Sequence, residues 1–396
     1  MQRLLPLLAL STVACGGSTE PAALDDSAVV DAATDAANDL SDDVCTPPAT
    51  PKSVDCRNGV CPEVTVAGQT IPAVGFRGLA DPSLRKDPKS ARIYLGYSFV
   101  RPASDMEVIL VESRLAKSDD AGATWALVDT LFTNEGPMID PGGTGWNGYM
   151  NSETISLTPA ETGGKTSWYS ARLSYFTTAP YKPVIRTFTV RIAHADSPEA
   201  LRSAKEQVIG LTSYVPAAYG AATDLEKLTK LGCDYWNDPG LFFEGGKLYL
   251  LAQCVGKSQI HVFASNATDD VAMLAWKDLG ALTDAGTAAE LGDSELNQSD
   301  VVRAADGTLL LLATPSHVVP GTLSAHAGCR AIELESLDPP RLRRQCGKLV
   351  VRASVTASDL ASTGSCGWDP ASSTGIVLAR RPGMGEPGTL VRSHVP

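Results

Sequence analysis

A loosely repeated unit limits what this chain can fold into more than any other feature. Each copy opens on an acidic or amide residue, runs as a short apolar strand, turns at glycine or charge, and returns as a second apolar strand. "LADPSLRKDPKSARIYLGYS" is the first copy and "YMNSETISLTPAETGGKTSWYSARLS" the second. "YWNDPGLFFEGGKLYLLAQC", "LNQSDVVRAADGTLLLLATP" and "CGWDPASSTGIVLARRP" follow. The leading residues are Asp81, Glu153, Asp238, Gln298 and Asp369, spaced by roughly 60 to 85 residues. A third strand and a small polar turn come after the paired strands, as in "VILVESRLAKSDDAG", "TFTVRIAHADSPEA", "IHVFASNATDD" and "LVVRASVTASDL". One small twisted sheet cannot bury both its faces. Packed radially, such sheets cover one another and leave only short edges. The expectation is an all-β chain folded as a β-propeller of five blades.

Composition agrees. The chain has 396 residues, 35 of them glycine and 26 proline, and 43% hydrophobic residues in short runs. Apolar runs of this length suit strands, and none approaches the roughly 18 residues of a membrane span.

The first residues read as an address. "MQRLLPLLALSTVACGG" carries one early cation, Arg3, then a short apolar run and small residues before Cys15. That is the pattern of a secretory signal over residues 1–14. "TVAC" resembles the bacterial lipobox, which implies lipidation of Cys15 and a mature chain beginning there. Residues 15–44 read as an acidic spacer: "STEPAALDDSAVVDAATDAANDLSDDV" holds eight carboxylates and no lysine or arginine. Those eight account for most of the formal net charge of −12. Such a stretch is solvated and self-repelling, with a flexible reach of about 30 Å. The expected location is therefore outside the cytoplasm, at the outer membrane or cell surface, as a lipid-anchored monomer. No basic stripe suggests nucleic acid.

Nine cysteines minus Cys15 leave eight, an even set that fits four disulfides in an exported chain. "CRAIELESLDPPRLRRQC" reads as a hairpin with Cys329 opposite Cys346. Cys233 and Cys254 flank a second hairpin centred on "EGGK". Among Cys45, Cys56, Cys61 and Cys366, one N-terminal cysteine is expected to reach Cys366. Residues 45–61 form a cysteine-containing N-terminal segment, and 62–396 the propeller domain.

In a ring, residues at the starts of the innermost strands converge on one mouth. A single leader is explained by local turn bonding, since Asp before Pro is common at turns. Five in register point to a site. "ADPS" and "WNDPGLFFEGGKLYLL" resemble five-bladed glycosidases of the arabinanase and β-xylosidase type. The resemblance implies Asp81 as the base and Asp238 as the tuning Asp. Where the family places its acidic Glu this chain has Gln298, which leaves Glu295 and Glu153 as candidate acids. A second resemblance, to sialidases, implies a six-bladed alternative. It rests on the Asp box Ser118-x-Asp120-x-Gly122-x-Thr124-Trp125 and on Phe76-Arg77. It would make Arg77 and Arg172 candidate carboxylate binders, but no Tyr–Glu nucleophile pair accompanies them. The box itself reads as the turn of an outer hairpin.

Glycosidic hydrolysis needs two carboxyl groups in different protonation states, one giving a proton and one activating water or attacking the sugar. Tyr149, Tyr235, Trp236 and Trp368 stand beside the leaders as candidate sugar platforms, with Gln298 and Asp369 as polar partners. Trp125 and Trp276 read as blade packing, and His261 as core. No cofactor is expected; His261 and the carboxylates are the candidates were the axis to hold a structural calcium. Two functions follow. One is a tethered enzyme that binds and hydrolyses carbohydrate or a glycoconjugate. The other is a non-catalytic propeller lipoprotein that binds a glycan or protein, or scaffolds an envelope complex.

Overall fold

The computed structural model describes residues 45–57, 60–75, 77–103, 108–139, 145, 147–178, 186–210, 223–317, 325–357, 365–381 and 386–394. Cys15, the signal, the acidic spacer and Phe76 lie outside them.

Five antiparallel sheets follow one another in chain order. Blade I is built from Gly78–Lys86, Ile93–Pro102, Ile109–Ser118 and Trp125–Phe132. Blade II uses Asn147–Thr162, Lys165–Thr178, Arg186–Ala195 and Glu206–Gly210. Blade III uses Trp236–Glu244, Lys247–Cys254, Gln259–Asn266 and Lys277–Ala281. Blade IV uses Glu295–Arg303, Leu309–His317, Cys329–Leu337 and Val351–Thr356. Blade V is reduced to Cys366–Gly367, Ile376–Arg380 and Thr389–Ser393. The protein is a five-bladed β-propeller; the six-bladed alternative is excluded by this count.

Alternating strand residues bury one apolar set on each side, and the buried clusters lie between neighbouring sheets. Trp236, Leu241, Leu250 and Phe263 of blade III pack with Tyr169, Val190 and Ile192 of blade II. Phe242, Leu251 and Val262, on the other face of blade III, pack with Val301, Leu311 and Ile332 of blade IV. The inner strands come close at the axis. A Cβ added at Gly240 would lie 1.9 Å from the Ser299 carbonyl oxygen, and one at Gly367 2.5 Å from that of Pro82. Only glycine lets two backbones approach that closely.

The ring is closed by the N-terminal segment. Lys52–Asp55 adds a parallel outer strand to Val351–Thr356 of blade IV. The Val64 N–H then donates to the Leu390 carbonyl, and the Arg392 N–H to that of Pro62, along the outer edge of blade V. Val66–Ala67 finally pairs in parallel with the outer strand of blade I. One short run thus crosses the outsides of three blades, supplying the partner that three-stranded blade V lacks.

Four disulfides are formed: Cys45–Cys346, Cys56–Cys61, Cys233–Cys254 and Cys329–Cys366. The Cys233–Cys254 pairing agrees with its hairpin. The expected Cys329–Cys346 bond does not form, and the cysteine that reaches Cys366 is Cys329 rather than an N-terminal one. The reason is the sheet. Cys329–Leu337 is the third strand of blade IV, and its long partner is Val351–Thr356, which sets Cys329 opposite Val355. The hairpin around Asp338 pairs only as far as Leu334 with Leu342. "LVVRASVTASDL" is accordingly a fourth strand, not a third.

Candidate active site at the mouth of the ring

Each inner strand of blades I to IV carries one extra residue at the same depth. The register slips between Ala80 and Ser83, Glu153 and Ser156, Asn237 and Gly240, and Asn297 and Ser299. At each slip one residue turns to positive φ: Asp81 at 50°, Thr154 at 49°, Asp238 at 45° and Gln298 at 35°. Bulges of this kind re-aim a side chain, and left-handed backbone at a non-glycine residue costs about 1–3 kcal/mol. Four such turns at one level form a ring of strained positions around the axis.

Three of the leading residues therefore hold the places expected of them. In blade II the turned residue is Thr154, with Glu153 just before it. Blade V departs altogether. Asp369 accepts the Lys86 N–H at 2.6 Å and caps the 3-10 turn Pro370–Ser372 through the Ala371 N–H. Lys86 ends the strand on which Asp81 lies near the start, so the Asp369 carboxylate is committed to the far end of that strand, while Trp368 packs on the cluster between blades IV and V. They do not belong to the mouth. Ser365 occupies the blade V side instead, its hydroxyl donating to Asp81 Oδ1 at 2.6 Å.

The axial carboxyl groups influence one another strongly. Burial pushes Glu153 up to about 8, and the charges of Asp81 and Asp238 add to it. Burial also lifts Asp238 to about 7, helped by Asp81 and Glu295. Asp238 accepts the Thr154 hydroxyl at 3.2 Å and the Gln298 N–H at 3.3 Å. Asp81 is raised by burial too, against donated bonds from the Ser365 and Ser98 hydroxyls. Ser98 in turn accepts the Thr154 N–H at 2.9 Å, locking blade I to blade II. Glu295, half-buried on blade IV, accepts the Ser316 hydroxyl at 3.3 Å and is raised by burial.

Tyr175 is a further member that sequence reading missed. It lies on the second strand of blade II, and its hydroxyl donates to Glu153 Oε2 at 2.7 Å. Tyr175 pairs with Asn151, and Glu153 with Leu173, so the two side chains meet diagonally across the hairpin. Pairing "YMNSE" with "RLSYF" in register would have revealed the contact.

The remaining candidates separate. Tyr235 is half-buried and within reach of the carboxylates; burial, then the charges of Asp238 and Glu295, push its phenol to about 12. Tyr149 packs on Ala103, Val108 and Leu110. Trp236 is 1% exposed and sits edge-on to His261 and Phe263, so it is core and no platform for a sugar. Arg172 is committed inside blade II, bound to Glu206 at 2.7 and 2.9 Å and to Ser152, and stacked over Phe132. Arg77 lies at the blade I–V joint, where Arg381 donates to its carbonyl and its own Nη1 donates to that of Gly75. His261 is buried on the third strand of blade III with its Nδ1 3.2 Å from Asp278. Trp125 and Trp276 are buried in blade packing, the latter bonded to Gln207.

Below the mouth the axis is filled. Arg85 of blade I reaches Asp300 of blade IV at 2.5 Å, and both are buried. The Ser83 and Ser156 hydroxyls donate to the same carboxylate. A buried guanidinium–carboxylate pair thus joins blades I and IV below the mouth. Among the described residues no group of three or more His, Cys, Asp and Glu is arranged to hold a metal ion.

No protein-family model matches this chain, and no curated protein does. Several solved structures share the general arrangement. Zg3597, a family 117 glycoside hydrolase from Zobellia galactanivorans, is 15% identical over 74% of this chain and 75% of its own, with a TM-score of 0.42. The catalytic domain of a GH62 α-L-arabinofuranosidase from Coprinopsis cinerea is 11% identical over 87% and 96%, also at 0.42. The GH32 β-fructofuranosidase BmSUC1 of Bombyx mori is 13% identical over 81% of this chain and 60% of its own, at 0.45. The blade count stands on the strand pairing and not on these likenesses.

Proposed function

We propose that this chain is an exported, lipid-anchored propeller protein that binds carbohydrate at the mouth of the ring and hydrolyses glycosidic bonds there. One observation supports the reading most: Asp81 and Asp238, on matching bulges of blades I and III, and Glu153, beside the matching bulge of blade II, stand at one buried mouth and raise one another's pKa. Burial raises Asp81 as well, two hydroxyl donors oppose that rise, and its charge in the ionised form adds to the rise of the other two. Glu153, held at about 8, carries a proton at neutral pH. Tyr175 donates to its Oε2, which leaves Oε1 to bear that proton.

The reaction that suits this set is direct displacement by water. Glu153 gives its proton to the leaving glycosidic oxygen as the bond to the anomeric carbon breaks. Asp81 takes a proton from the water that attacks that carbon. Asp238, which gives up its proton near 7, in its ionised form stabilises the positive charge that develops on the sugar, and it sets the acidity of its neighbours. The acid is therefore assigned to Glu153 on blade II, not to Gln298 on blade IV, because an amide has no acidic proton to give.

The test is a panel of aryl glycosides and plant, host and bacterial polysaccharides, assayed with the parent chain, Glu153→Gln and Asp81→Asn. Hydrolysis by the parent and its loss in both variants is expected. Hydrolysis undiminished in either variant would overturn the assignment. Gln298 favours one second reading: a ring that binds glycan without cleaving it. Sugar binding with no turnover in the parent would establish that. Cys15→Ser is expected to move the protein from the membrane fraction to the soluble one.

A further inference from the structure

Blade IV holds a cluster the proposed reaction does not use. The Asn297 amide nitrogen lies 3.1 Å from His326 Nε2. Asn297 Oδ1 and His326 Nδ1, the outward ends of this pair, have no hydrogen-bond partner, and neither has Gln298 Oε1 in the next residue. All three atoms are shut off from solvent, so each gives up its bond to water without replacement. Three such atoms on neighbouring residues are unusual in a folded chain. They lie beside the carboxyl groups: the Gln298 N–H bonds to Asp238, and Glu295 lies on the same strand two residues before Asn297. Ser316, which donates to Glu295, is paired directly with His326.

We propose that Asn297, Gln298 and His326 form a subsite for the hydroxyl groups of a neutral sugar, next to the cleaving carboxyls. This rests on the carbohydrate reading above. The chemistry is that of a paired donor and acceptor. With the amide donating to Nε2, His326 Nδ1 carries a hydrogen and Asn297 Oδ1 accepts. With the amide turned over, the roles exchange, and one donor and one acceptor are still left without a partner. Adjacent hydroxyls of a sugar ring each give and take one hydrogen bond, so they complete either arrangement. Burial holds His326 at about 4, so its ring is neutral and attracts no anion. Glu153, Asp81, Asp238 and Glu295 crowd the same mouth, which disfavours an acidic sugar. Glu295 on this reading borders the subsite and is not the proton donor.

The experiment measures binding by calorimetry in Glu153→Gln, which removes turnover. The probes are neutral arabino-, xylo-, fructo- and galacto-oligosaccharides and an oligogalacturonate of matched length. The double variant Asn297→Leu with His326→Phe removes both polar partners at nearly constant volume. Its melting temperature is expected to hold or rise, because unsatisfied groups are removed. Its affinity for the neutral oligomer that binds is expected to fall about tenfold or more. A neutral oligomer bound within twofold by the double variant would overturn the subsite and leave the carbohydrate reading standing. Binding of the acidic oligomer alone would overturn it as well. No binding of any oligomer to Glu153→Gln or to the parent would overturn both. Should the double variant fail to fold, His326→Gln, which keeps a donor and an acceptor, is compared with His326→Leu. Retention in the first and loss in the second is expected; equal affinity overturns the subsite.

Discussion

The base of blade I and the mouth of blade III each fix one aspartate in a tight turn, and the two are driven to opposite acidities. Asp120 sits in the Asp-box turn between the third and fourth strands. Its carboxylate accepts the Thr124 hydroxyl and N–H at 2.6 and 2.9 Å and the Ser118 hydroxyl at 2.7 Å. These donors hold it down at about 2. Asp238 accepts two weaker bonds at 3.2 and 3.3 Å, is buried, and faces other carboxylates, which take it to about 7. The side chain is the same. Where donors outnumber the cost of burial it becomes a permanent anion that fastens a turn; where burial and like charge prevail it becomes a group that trades protons near neutrality. The box fastens a joint as well as a turn. Arg392 of blade V donates to the Gly122 carbonyl at 2.7 Å, and a Cβ at Gly122 would meet the Thr374 side chain at 2.6 Å.

Catalysis offers the largest effect by which to break this comparison. Glu153→Gln and Asp81→Asn are each expected to lower kcat/KM about 10²–10⁴-fold on any glycoside the parent cleaves. In the parent, kcat/KM is expected to fall as pH rises through about 8, where Glu153 loses its proton. A profile flat from pH 6 to 9 would place the acid elsewhere.

Asp300 extends the comparison to an aspartate that is buried like Asp238 but paired with a cation. Arg85→Met strands its charge, and stability measured by urea unfolding is expected to drop by about 3–5 kcal/mol. Replacing both partners, with Arg85→Met and Asp300→Leu, is expected to restore most of it. Failure of the double variant to recover would mean that the ion pair, and not its burial, holds the axis.

Asp238 gives the next effect. Its folded acidity is raised from 3.8 to about 7, so the folded chain holds the proton more tightly than the unfolded one. The stability this contributes is full below about pH 4 and is lost as pH rises through about 7. Asp238→Asn should therefore leave stability unchanged near about pH 3.5 and stabilise the protein at pH 8 by at least about one pKa unit's worth, ~1.4 kcal/mol. Equal melting curves at pH 8 would show that the mouth is solvated.

Asp120 gives the smallest effect, with the opposite sign. Its acidity is lowered, so its contribution is present above about pH 4 and is lost as pH falls through about 2. Asp120→Ala should lower the melting temperature slightly at pH 7, with the gap closing near pH 2. Scanning calorimetry at the two pH values decides it.

These contrasts also mark where the sequence could be read. "ADPS" and "NDPG" announced Asp81 and Asp238 because proline after the bulged residue and a small residue beyond it are what close packing at the axis demands. Gln298 was placed by the strand that follows it. Thr154 was not foreseen, since a β-branched residue is the last expected to turn left-handed, and the eye settles on the carboxylate beside it. Asp369 misled for the converse reason. Asp-Pro caps a 3-10 turn as readily as it opens a strand, and the two-residue inner strand of blade V left no apolar run to correct the alignment. The cysteine pairs failed where a symmetric hairpin in the sequence yielded to the fourth strand of a blade. The unpartnered atoms of Asn297 and His326 had no signal at all, because being unsatisfied is a property of neighbours that meet only in the folded ring.

The N-terminal strap has a mechanical meaning. The described part of residues 52–67 joins blades IV, V and I by backbone hydrogen bonds and by Cys56, Cys61, Val64 and Val66 packed into their clusters. A pull on the chain from upstream of Cys45 would peel those bonds one at a time if it reached them. The Cys45–Cys346 bond stands ahead of the strap and passes such a force into blade IV. A protein held at its N-terminus can then be tugged by its surroundings while the clasp of the ring stays slack.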